Sequence, residues 1–296
     1  MTLYKKIKKI KTEHIYQGDC LDVLHAFPDE SIDCVVTSPP YWGLRDYGSQ
    51  DQLGLEEIPD DYVKTLTDVF DEIKRVLKKE GTLWLNLGDT YHNKQLVGIP
   101  FEVAFALQYN GWYLRQDIIW HKPNPMPESV KDRCTRSHEY IFLLTKSKKY
   151  FYNMEAIKEP VLQKSVERAK GKMNFRKITT EKTIYEEAKS STRIVSEDHM
   201  RNKRSVWNMR TATLKEAHFA TFPIELPITC IKAGCPEGGV VLDPFFGAGT
   251  TGLAAQELHR NWVGIELNPE YIELANRRLA QTNLFVDGSQ NVRITK

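Results

Sequence analysis

The chain has few of the features that mark secreted, membrane or metal-binding proteins. Its 296 residues include an odd number of cysteines, five, and no Cys-x-x-Cys pair. Neither a disulfide framework nor a metal site is therefore expected. No run is long and apolar enough to span a bilayer, and the lysine-rich start is not followed by the apolar core of a signal peptide. We expect a cytoplasmic protein.

The chain also has little net charge, +2 at pH 7, and its hydrophobic and charged fractions of 41% and 27% are ordinary for a globular protein. Its basic residues are nevertheless clustered. Residues 1–11 carry five lysines and no acid, and residues 160–209 carry 12 Lys and Arg against six Asp and Glu. Such patches attract phosphate backbones, although charge alone fits a solvated surface equally well.

Apolar β-rich segments alternate with helical patterns, which is typical of a sheet covered by helices on both faces. Strands are predicted at residues 32–36, 82–87, 113–120, 240–243 and 262–267. Helices are predicted at 62–77, 100–109, 250–258 and from 269 onward. Segments 139–145 and 150–153 predict an antiparallel hairpin at the edge of the sheet. Residues 159–213 are polar and basic without strong periodicity, so we predict an insertion between the halves 1–158 and 214–296 of one domain.

A glycine-rich turn follows the strand predicted at 240–243, with the sequence Asp243-Pro244-Phe245-Phe246-Gly247-Ala248-Gly249-Thr250-Thr251. Ligands of parallel sheets bind where such a strand hands over to a helix. Gly247 and Gly249 let the backbone approach a ligand, and Asp243 can accept a hydrogen bond from a ligand ammonium. Glu266 ends the next strand, where an acid can take both hydroxyls of a ribose. The turn therefore favours a nucleoside cofactor.

A proline-stiffened turn follows the strand at 32–36, with the sequence Thr37-Ser38-Pro39-Pro40-Tyr41-Trp42. An exocyclic base amine is a poor nucleophile because its lone pair is delocalised into the ring. Ser38 Oγ and the Pro39 carbonyl can accept from its two N–H groups and bend it, since consecutive prolines fix the turn. Tyr41 offers a face for a base taken out of the duplex. A hydroxyl is no general base near neutrality, so we expect in-line transfer by positioning, with the proton leaving afterwards.

Together the two turns resemble those of amino-methylating DNA methyltransferases of the permuted β class, in which the Ser-Pro-Pro-Tyr turn precedes the cofactor turn. The resemblance implies a doubly wound, Rossmann-like α/β sheet with an antiparallel edge hairpin, a circularly permuted motif order and an inserted target-recognition region at 159–213. It implies S-adenosyl-L-methionine as cofactor and double-stranded DNA as substrate. The implied catalytic residues are Ser38, Pro39, Pro40 and Tyr41. The implied cofactor-binding residues are Asp19, Cys20, Thr37, Phe219, Ala220, Thr221, Phe222, Pro223, Asp243, Pro244, Phe245, Phe246, Gly247, Gly249, Thr250 and Glu266.

Further segments carry the same resemblance. His218-Phe219-Ala220-Thr221-Phe222-Pro223 looks like the family's segment beside the methionine moiety, and Gly18-Asp19-Cys20 looks like its adenine-binding turn. Asp19 fits the N-cap of a helix over 20–26 equally well. Residues 83–89, 119–127 and 133–140 are similar to the later strands and the rim of the pocket. His121 and Lys122 could contact the DNA backbone or be solvated, and we expect Trp84, Trp112 and Trp120 in the core.

Several alternatives remain open at the level of the sequence. Cytosine N4 is favoured over adenine N6 because the family's cytosine enzymes tend to have Ser where its adenine enzymes tend to have Asp, but some adenine enzymes also carry Ser. Methylation at cytosine carbon 5 would need a Pro-Cys nucleophile, which the chain lacks. A nicotinamide-linked oxidoreductase could use the same glycine turn, and a catalytically silent DNA-binding module could keep the fold. A companion restriction endonuclease and the oligomeric state are not specified by these residues.

Overall fold

A computed structural model of the chain describes residues 5–43, 52–161, 199–211 and 222–288. The chain divides into a large unit, Met1–Asn153 with Ser205–Lys296, and a small unit, Met154–Arg204. The strands of the large unit are β1 His14–Gln17, β2 Ile32–Thr37, β3 Leu77–Leu87, β4 Tyr91–His92, β5 Gln95–Leu96, β6 Tyr113–His121, β7 His138–Thr145, β10 Val206–Asn208, β11 Val240–Asp243 and β12 Asn261–Glu266. Its helices are α1 Cys20–Ala26, α2 Pro59–Val76, α3 Ile99–Tyr109, α4 Glu225–Gly234, α5 Thr250–Glu257 and α6 Pro269–Gly288.

The small unit is described at residues 154–161 and 199–204. It contains a 3₁₀ helix at Glu155–Ile157 and the short antiparallel pair of β8 (Glu159–Pro160) with β9 (Met200–Arg201). The Glu159 carboxylate accepts hydrogen bonds from Arg201 and Arg204. Of the segment 159–213 that we expected to read the target, residues 162–198 and 212–213 lie outside the described residues.

Eight strands form the main sheet, in the order β1-β12-β11-β2-β3-β7-β6-β10. Of these strands, β7 alone runs antiparallel to its neighbours β3 and β6. The chain passes from β11 through α5 to β12 on one side, and from β2 through α2 to β3 on the other. The order therefore reverses between β11 and β2, where the carboxyl ends of open α/β sheets form a ligand-binding crevice.

The helices pack in two groups, α1 with α2 and α3, and α4 with α5 and α6. Right-handed crossovers in opposite directions along a sheet place such groups on opposite faces. The expected doubly wound α/β class is thus confirmed. The permuted order is visible as well: β1 pairs with β12, and α6, which follows β12, contacts both strands.

The antiparallel strand is present, but the partner that we expected for it is wrong. β7 pairs with β3 and β6, whereas residues 150–153 form no strand. The Phe151 amide instead donates to the Glu80 carbonyl at 2.9 Å and the Asn153 amide to the Ala233 carbonyl at 2.8 Å. The polar residues at 146–149 suggested a hairpin turn, but the backbone of β7 pairs with β3 and β6 instead.

The spacing of apolar residues predicts helix α2 correctly but misses its exact bounds. Its buried residues recur at helical spacing: Tyr62, Leu66, Val69, Phe70, Ile73 and Val76. The helix begins at Pro59 with two acids in the first turn, before the apolar stripe that predicted a start at 62. It ends at Val76, and β3 begins at once with Leu77 rather than at 82. The exposed residues 78–80 concealed the start of that strand.

Several elements of the large unit were not expected, namely β1, the short β4–β5 pair, β10 and α4. β10 extends the sheet beyond β6 from within the segment predicted to lack strong elements, and Trp207 on it is buried. α4 packs against β2 and β3, with Gly234 close to the Thr82 and Trp84 side chains. Trp84, Trp112 and Trp120 are all buried, as expected. No helix in the described parts of the chain has the length and apolar character needed to cross a bilayer.

Candidate active site

A buried hydrogen bond joins the two turns that the sequence singled out. Thr37 at the end of β2 donates from Oγ1 to Asp243 Oδ1 at the end of β11, at 2.7 Å. Thr251 of α5 donates to the other carboxylate oxygen, also at 2.7 Å. Thr37 and Asp243 are 0% and 2% exposed. Segments about two hundred residues apart in sequence therefore open onto the same crevice between β11 and β2.

Asp243 is held as part of the protein's own framework. Besides the two threonines, the Phe245 amide donates to Oδ1 at 3.1 Å. Burial raises the pKa of Asp243 to about 7, against the opposing effect of these three hydrogen bonds. We expected this carboxylate to receive a ligand ammonium. In the structure its main observed role is to couple the proline turn to the glycine turn.

The glycine turn is open on the side where a ligand would lie. Gly247 and Gly249 have φ of 49° and 78°, a region that suits glycine. A Cβ on Gly247 would meet only the Phe245 carbonyl oxygen, at 4.0 Å, whereas one on Gly249 would lie 3.1 Å from Ala275 Cβ. Gly249 therefore packs onto α6, and Gly247 leaves its backbone accessible.

Glu266 fixes the shape of this turn from the end of β12. Its Oε2 accepts from the Gly247 amide at 2.7 Å and its Oε1 from the Asn268 amide at 2.8 Å. Burial raises the pKa of Glu266. A carboxylate has about four acceptor sites, so two bonds leave capacity for the ribose hydroxyls expected here.

Phe246, which the resemblance assigns to the cofactor site, has its ring in the core. Its ring is 3% exposed and stacks on Trp262 with centroids 5.2 Å apart. Gly252 and Gly264 make room for it, since a Cβ on either would lie within 2.6 Å of the ring. The ring supports the turn from the core side. Among the other residues predicted for the turn, Pro244 and Thr250 are buried and Phe245 is partly buried against the core.

The Gly18-Asp19-Cys20 turn lies at the same edge, because the Gly18 amide donates to the Glu266 carbonyl at 3.0 Å. Asp19 is the N-cap of α1, and its Oδ1 accepts from the Leu21 and Asp22 amides. The capping alternative for Asp19 is therefore correct, and an additional adenine contact stays a prediction. Cys20 is buried, which raises the pKa of its thiol well above the usual range.

The segment expected beside the methionine moiety is described only in part. Phe219, Ala220 and Thr221 lie outside the described residues. Phe222 is partly exposed and Pro223 is buried. The Pro223 carbonyl accepts from the Leu226 amide at 3.0 Å and so starts α4.

The proline turn is braced by a hydrogen-bond network. Ser38 Oγ donates to the Tyr41 hydroxyl at 3.1 Å, and that hydroxyl donates to Glu139 Oε2 at 2.8 Å. Asn86 of β3 donates from Nδ2 to Tyr41 at 2.7 Å, to Glu139 at 2.8 Å and to Ser38 at 3.3 Å. Lys122 forms an ion pair with the other oxygen of Glu139. The strands β3, β6 and β7 thus converge on Ser38 and Tyr41.

The position of Tyr41 is fixed on several sides. The Tyr62 hydroxyl donates to the carbonyl of the preceding Pro40 at 2.8 Å. Gly88 lies against the Tyr41 ring, since a Cβ there would be 2.6 Å from Cε2. Burial and the Glu139 charge raise the pKa of Tyr41 well above its usual value. Tyr41 is therefore a neutral hydrogen-bonding member of the network as well as a possible surface for a base.

A cavity of about 170 Å³ opens beside this network. Its lining is polar and charged next to Tyr41 and apolar at Met126, which is 84% exposed. The lining residues are Tyr41, Gly88, Asp89, Lys122, Pro125, Met126, Glu128, Arg136, His138, Glu139 and Thr211. A flat heterocycle needs such a space with polar groups at one end.

Sequence reasoning missed Asn86 and Glu139. Both lie in segments that we likened to the family, 83–89 and 133–140, but neither has a spacing that relates it to Ser38. Lys122, expected at the DNA backbone or in solvent, instead pairs with Glu139 and lies 4.4 Å from the centroid of the Trp120 ring. The contacts among Asn86, Lys122 and Glu139 are recognised only once β7 is placed between β3 and β6.

A doubly wound sheet that brings a glycine-rich turn and a Ser-Pro-Pro-Tyr turn to one crevice has the fold and the motif arrangement of a Rossmann-like methyltransferase. The chain belongs to the DNA methylase family N6_N4_Mtase, whose model matches residues 32–277. It is 44% identical to the Type II methyltransferase M.SmaI of Serratia marcescens, over 90% of each chain. It is 45% identical to the Type II methyltransferase M.Cfr9I of Citrobacter freundii, over 90% of this chain and 87% of that protein.

Solved structures agree in fold. PvuII DNA methyltransferase, named cytosine-N4-specific, superposes with a TM-score of 0.69 at 21% identity, over 94% of this chain and 90% of that chain. TTHA0409 from Thermus thermophilus, solved with S-adenosyl-L-methionine, gives a TM-score of 0.60 at 26% identity, over 90% of this chain and 94% of that chain. The family model and the two relatives confirm the expected membership in the amino-methylating DNA methyltransferases.

Proposed function

We propose that this chain transfers a methyl group from S-adenosyl-L-methionine to the exocyclic N4 amine of cytosine at a specific site in duplex DNA. The supporting observation is the 2.7 Å hydrogen bond between Thr37 and Asp243, which puts the amine-binding turn beside the cofactor turn. The family and its relatives provide the reaction class, and the geometry provides a crevice in which donor and acceptor can meet.

The residues of the crevice fit the cofactor. Gly247 presents accessible backbone, and Glu266 keeps acceptor capacity for a ribose. We assign binding to these two residues, to the Asp19 turn and to the Phe222 segment before α4. When bound, S-adenosylmethionine supplies an electrophilic methyl group on a sulfonium sulfur.

The remaining chemistry is positioning by the chain's own residues. Ser38 already directs its hydroxyl proton to Tyr41, so an Oγ lone pair is left to accept from the base amine. The Pro39 carbonyl supplies the second acceptor. Two acceptors held in a stiff turn align the nitrogen lone pair, and such orientation contributes a large share of rate in group transfer. The cavity beside Tyr41 is the proposed site of the flipped base.

Cytosine N4 is preferred because Ser38 occupies the first position of the motif. Adenine N6 is the second candidate, and the matching family covers both amines by name. Labelled methyl transfer to duplex DNA, followed by nucleoside analysis, separates N4-methylcytosine from N6-methyladenine. Absence of any labelled nucleoside would contradict the proposal. Calorimetry with NADH would then test the oxidoreductase alternative, and DNA binding without transfer would indicate the silent module.

We further propose that residues 159–213 contact the target DNA and that the enzyme works in the cytoplasm. We also propose that a companion restriction endonuclease is present in the same cell. The proposal of a companion endonuclease rests on the Type II names of the relatives. DNA recovered from cells that express the chain should resist cleavage at the methylated site. Cleavage of this DNA at the methylated site by an endonuclease encoded beside the chain would contradict the proposed partnership.

A further inference from the structure

We propose that Glu139 is the final acceptor of the proton that the target amine loses, and that it acts through Tyr41 and Ser38. This inference rests on the proposed amino-methylation and adds a destination for the proton. In this scheme the proton reaches Glu139 through the two hydroxyls, so Glu139 is a positioning and relay residue.

The hydrogen bonds of the network point in one direction. Ser38 Oγ donates to the Tyr41 hydroxyl at 3.1 Å, and that hydroxyl donates to Glu139 Oε2 at 2.8 Å. Each hydroxyl is thus both the acceptor for the preceding group and the donor to the next one. The series ends on a carboxylate, which is the only member that can keep an added proton.

The step balances without another reactant. When the amine nitrogen gains the methyl group, it becomes positively charged and must release one proton. That proton bonds to Ser38 Oγ as the Ser38 hydroxyl proton moves to Tyr41 and the Tyr41 hydroxyl proton moves to Glu139 Oε2. Ser38 and Tyr41 are regenerated as neutral hydroxyls, and Glu139 becomes a carboxylic acid.

The Glu139 carboxylate has two partners besides Tyr41. Lys122 pairs with its Oε1, and Asn86 Nδ2 donates to its Oε2 at 2.8 Å. The other charged or titratable groups lining the same cavity are Asp89, Glu128, Arg136 and His138. Glu128 is paired with Arg133 at 2.5 Å. Lys122 and Asn86 therefore hold the Glu139 carboxylate in place beside the Tyr41 hydroxyl.

The test is a single-turnover methyl-transfer assay on wild type, Glu139→Gln and Tyr41→Phe, each across a pH series. We expect both variants to lose about 100-fold or more in rate, the range of general acid–base effects. Affinities for S-adenosylmethionine and DNA should stay unchanged. The rate of wild type should fall towards acid pH, and this acid limb should be absent from Glu139→Gln. The control is Glu30→Gln, which also removes an ion-paired carboxylate, the partner of Lys146, before β2.

Three results would overturn the relay. The first is a Tyr41→Phe variant that transfers at the wild-type rate, which also decides the case if Glu139→Gln does not fold. The second is Glu139→Gln at the wild-type rate. The third is a slow Glu139→Gln with an unchanged acid limb, which would make the carboxylate a purely structural support. Failure of wild type to methylate DNA would instead contradict the proposed function.

Discussion

At the scale of the residue, the buried Asp243 carboxylate makes stability depend on pH. Its pKa is raised to about 7 in the fold and returns to about 3.8 on unfolding. Between these values the folded chain holds a proton that the unfolded chain has released. This contribution is therefore fully present below the lower value and is lost as pH rises through the upper one. The difference corresponds to on the order of 4 kcal/mol.

Asp243→Asn should remove this dependence. Urea unfolding of wild type should show a lower free energy of unfolding at pH 8 than at pH 5 because of this group, and the variant should show a smaller difference. Other titrating groups contribute equally to both proteins and cancel in the comparison. An identical pH dependence in the variant would mean that Asp243 is ionised throughout this range.

Thr37 and Thr251 allow the effect of the link between the two turns on the methyl-transfer rate to be measured apart from its effect on stability. Each donates a 2.7 Å bond to Asp243, but Thr37 directly precedes Ser38 and Thr251 lies on α5. Replacement of either by Val should cost about 1–3 kcal/mol, because a buried acceptor loses a donor. Only Thr37→Val should also lower the methyl-transfer rate strongly. Equal losses of rate in the two variants would contradict a special role for the link.

Gly247 and Gly238 are a matched pair for the cofactor site. Both have positive φ, 49° and 69°, and a Cβ on either has free space around it. Alanine should strain both backbones by about 1–2 kcal/mol. Gly247→Ala should in addition weaken S-adenosylmethionine binding, measured by calorimetry, because its Cβ enters the proposed ligand space. Gly238→Ala, at the opposite end of β11, should bind normally. Normal binding by both would place the cofactor elsewhere.

At the scale of the element, α5 has a glycine in its interior for a packing reason. Alanine normally favours a helix over glycine by about 1 kcal/mol. At Gly252, however, a Cβ would lie 2.6 Å from Phe246 Cζ, and overpacking costs about 1–3 kcal/mol. Gly252→Ala should therefore destabilise the protein in thermal unfolding. Adding Phe246→Leu should relieve part of that loss, and strictly additive effects would refute this contact.

The elements that the sequence predicted well have one clear pattern of buried apolar residues, a continuous run in β11 and a helical stripe in α2. β11 was predicted with its observed bounds, and α2 was found from its apolar stripe. β3 was cut short because its early residues, 78–80, are exposed and polar. The pairing of β7 could not be obtained from the local pattern. The neighbours of a strand inside a sheet depend on contacts with residues that are far away in the sequence.

At the scale of the whole molecule, the site was predictable as two motifs but not as a network. Their order and residue types indicated the crevice, and the Thr37–Asp243 bond shows that they meet. Asn86 and Glu139 come from strands with no local signal for Ser38. Phe246 was assigned by its place in the motif, although its ring belongs to the core. A motif identifies the chain segment at a site, and only packing decides which side chains face the ligand.

DNA binding should depend on where charge lies and not on how much there is. The net charge is only +2, so we expect the phosphate contacts to come from the clustered basic residues, chiefly those at 160–209. The logarithm of the DNA affinity should fall linearly with the logarithm of salt concentration, with a slope of roughly 0.9 per phosphate neutralised. Changing Lys170, Lys172, Arg176 and Lys177 to Gln should reduce that slope. The same change at Lys5, Lys6, Lys8 and Lys9 removes equal charge from the N-terminal cluster and is the control. If only the control reduced the slope, the N-terminal lysines rather than the inserted segment would hold the DNA backbone.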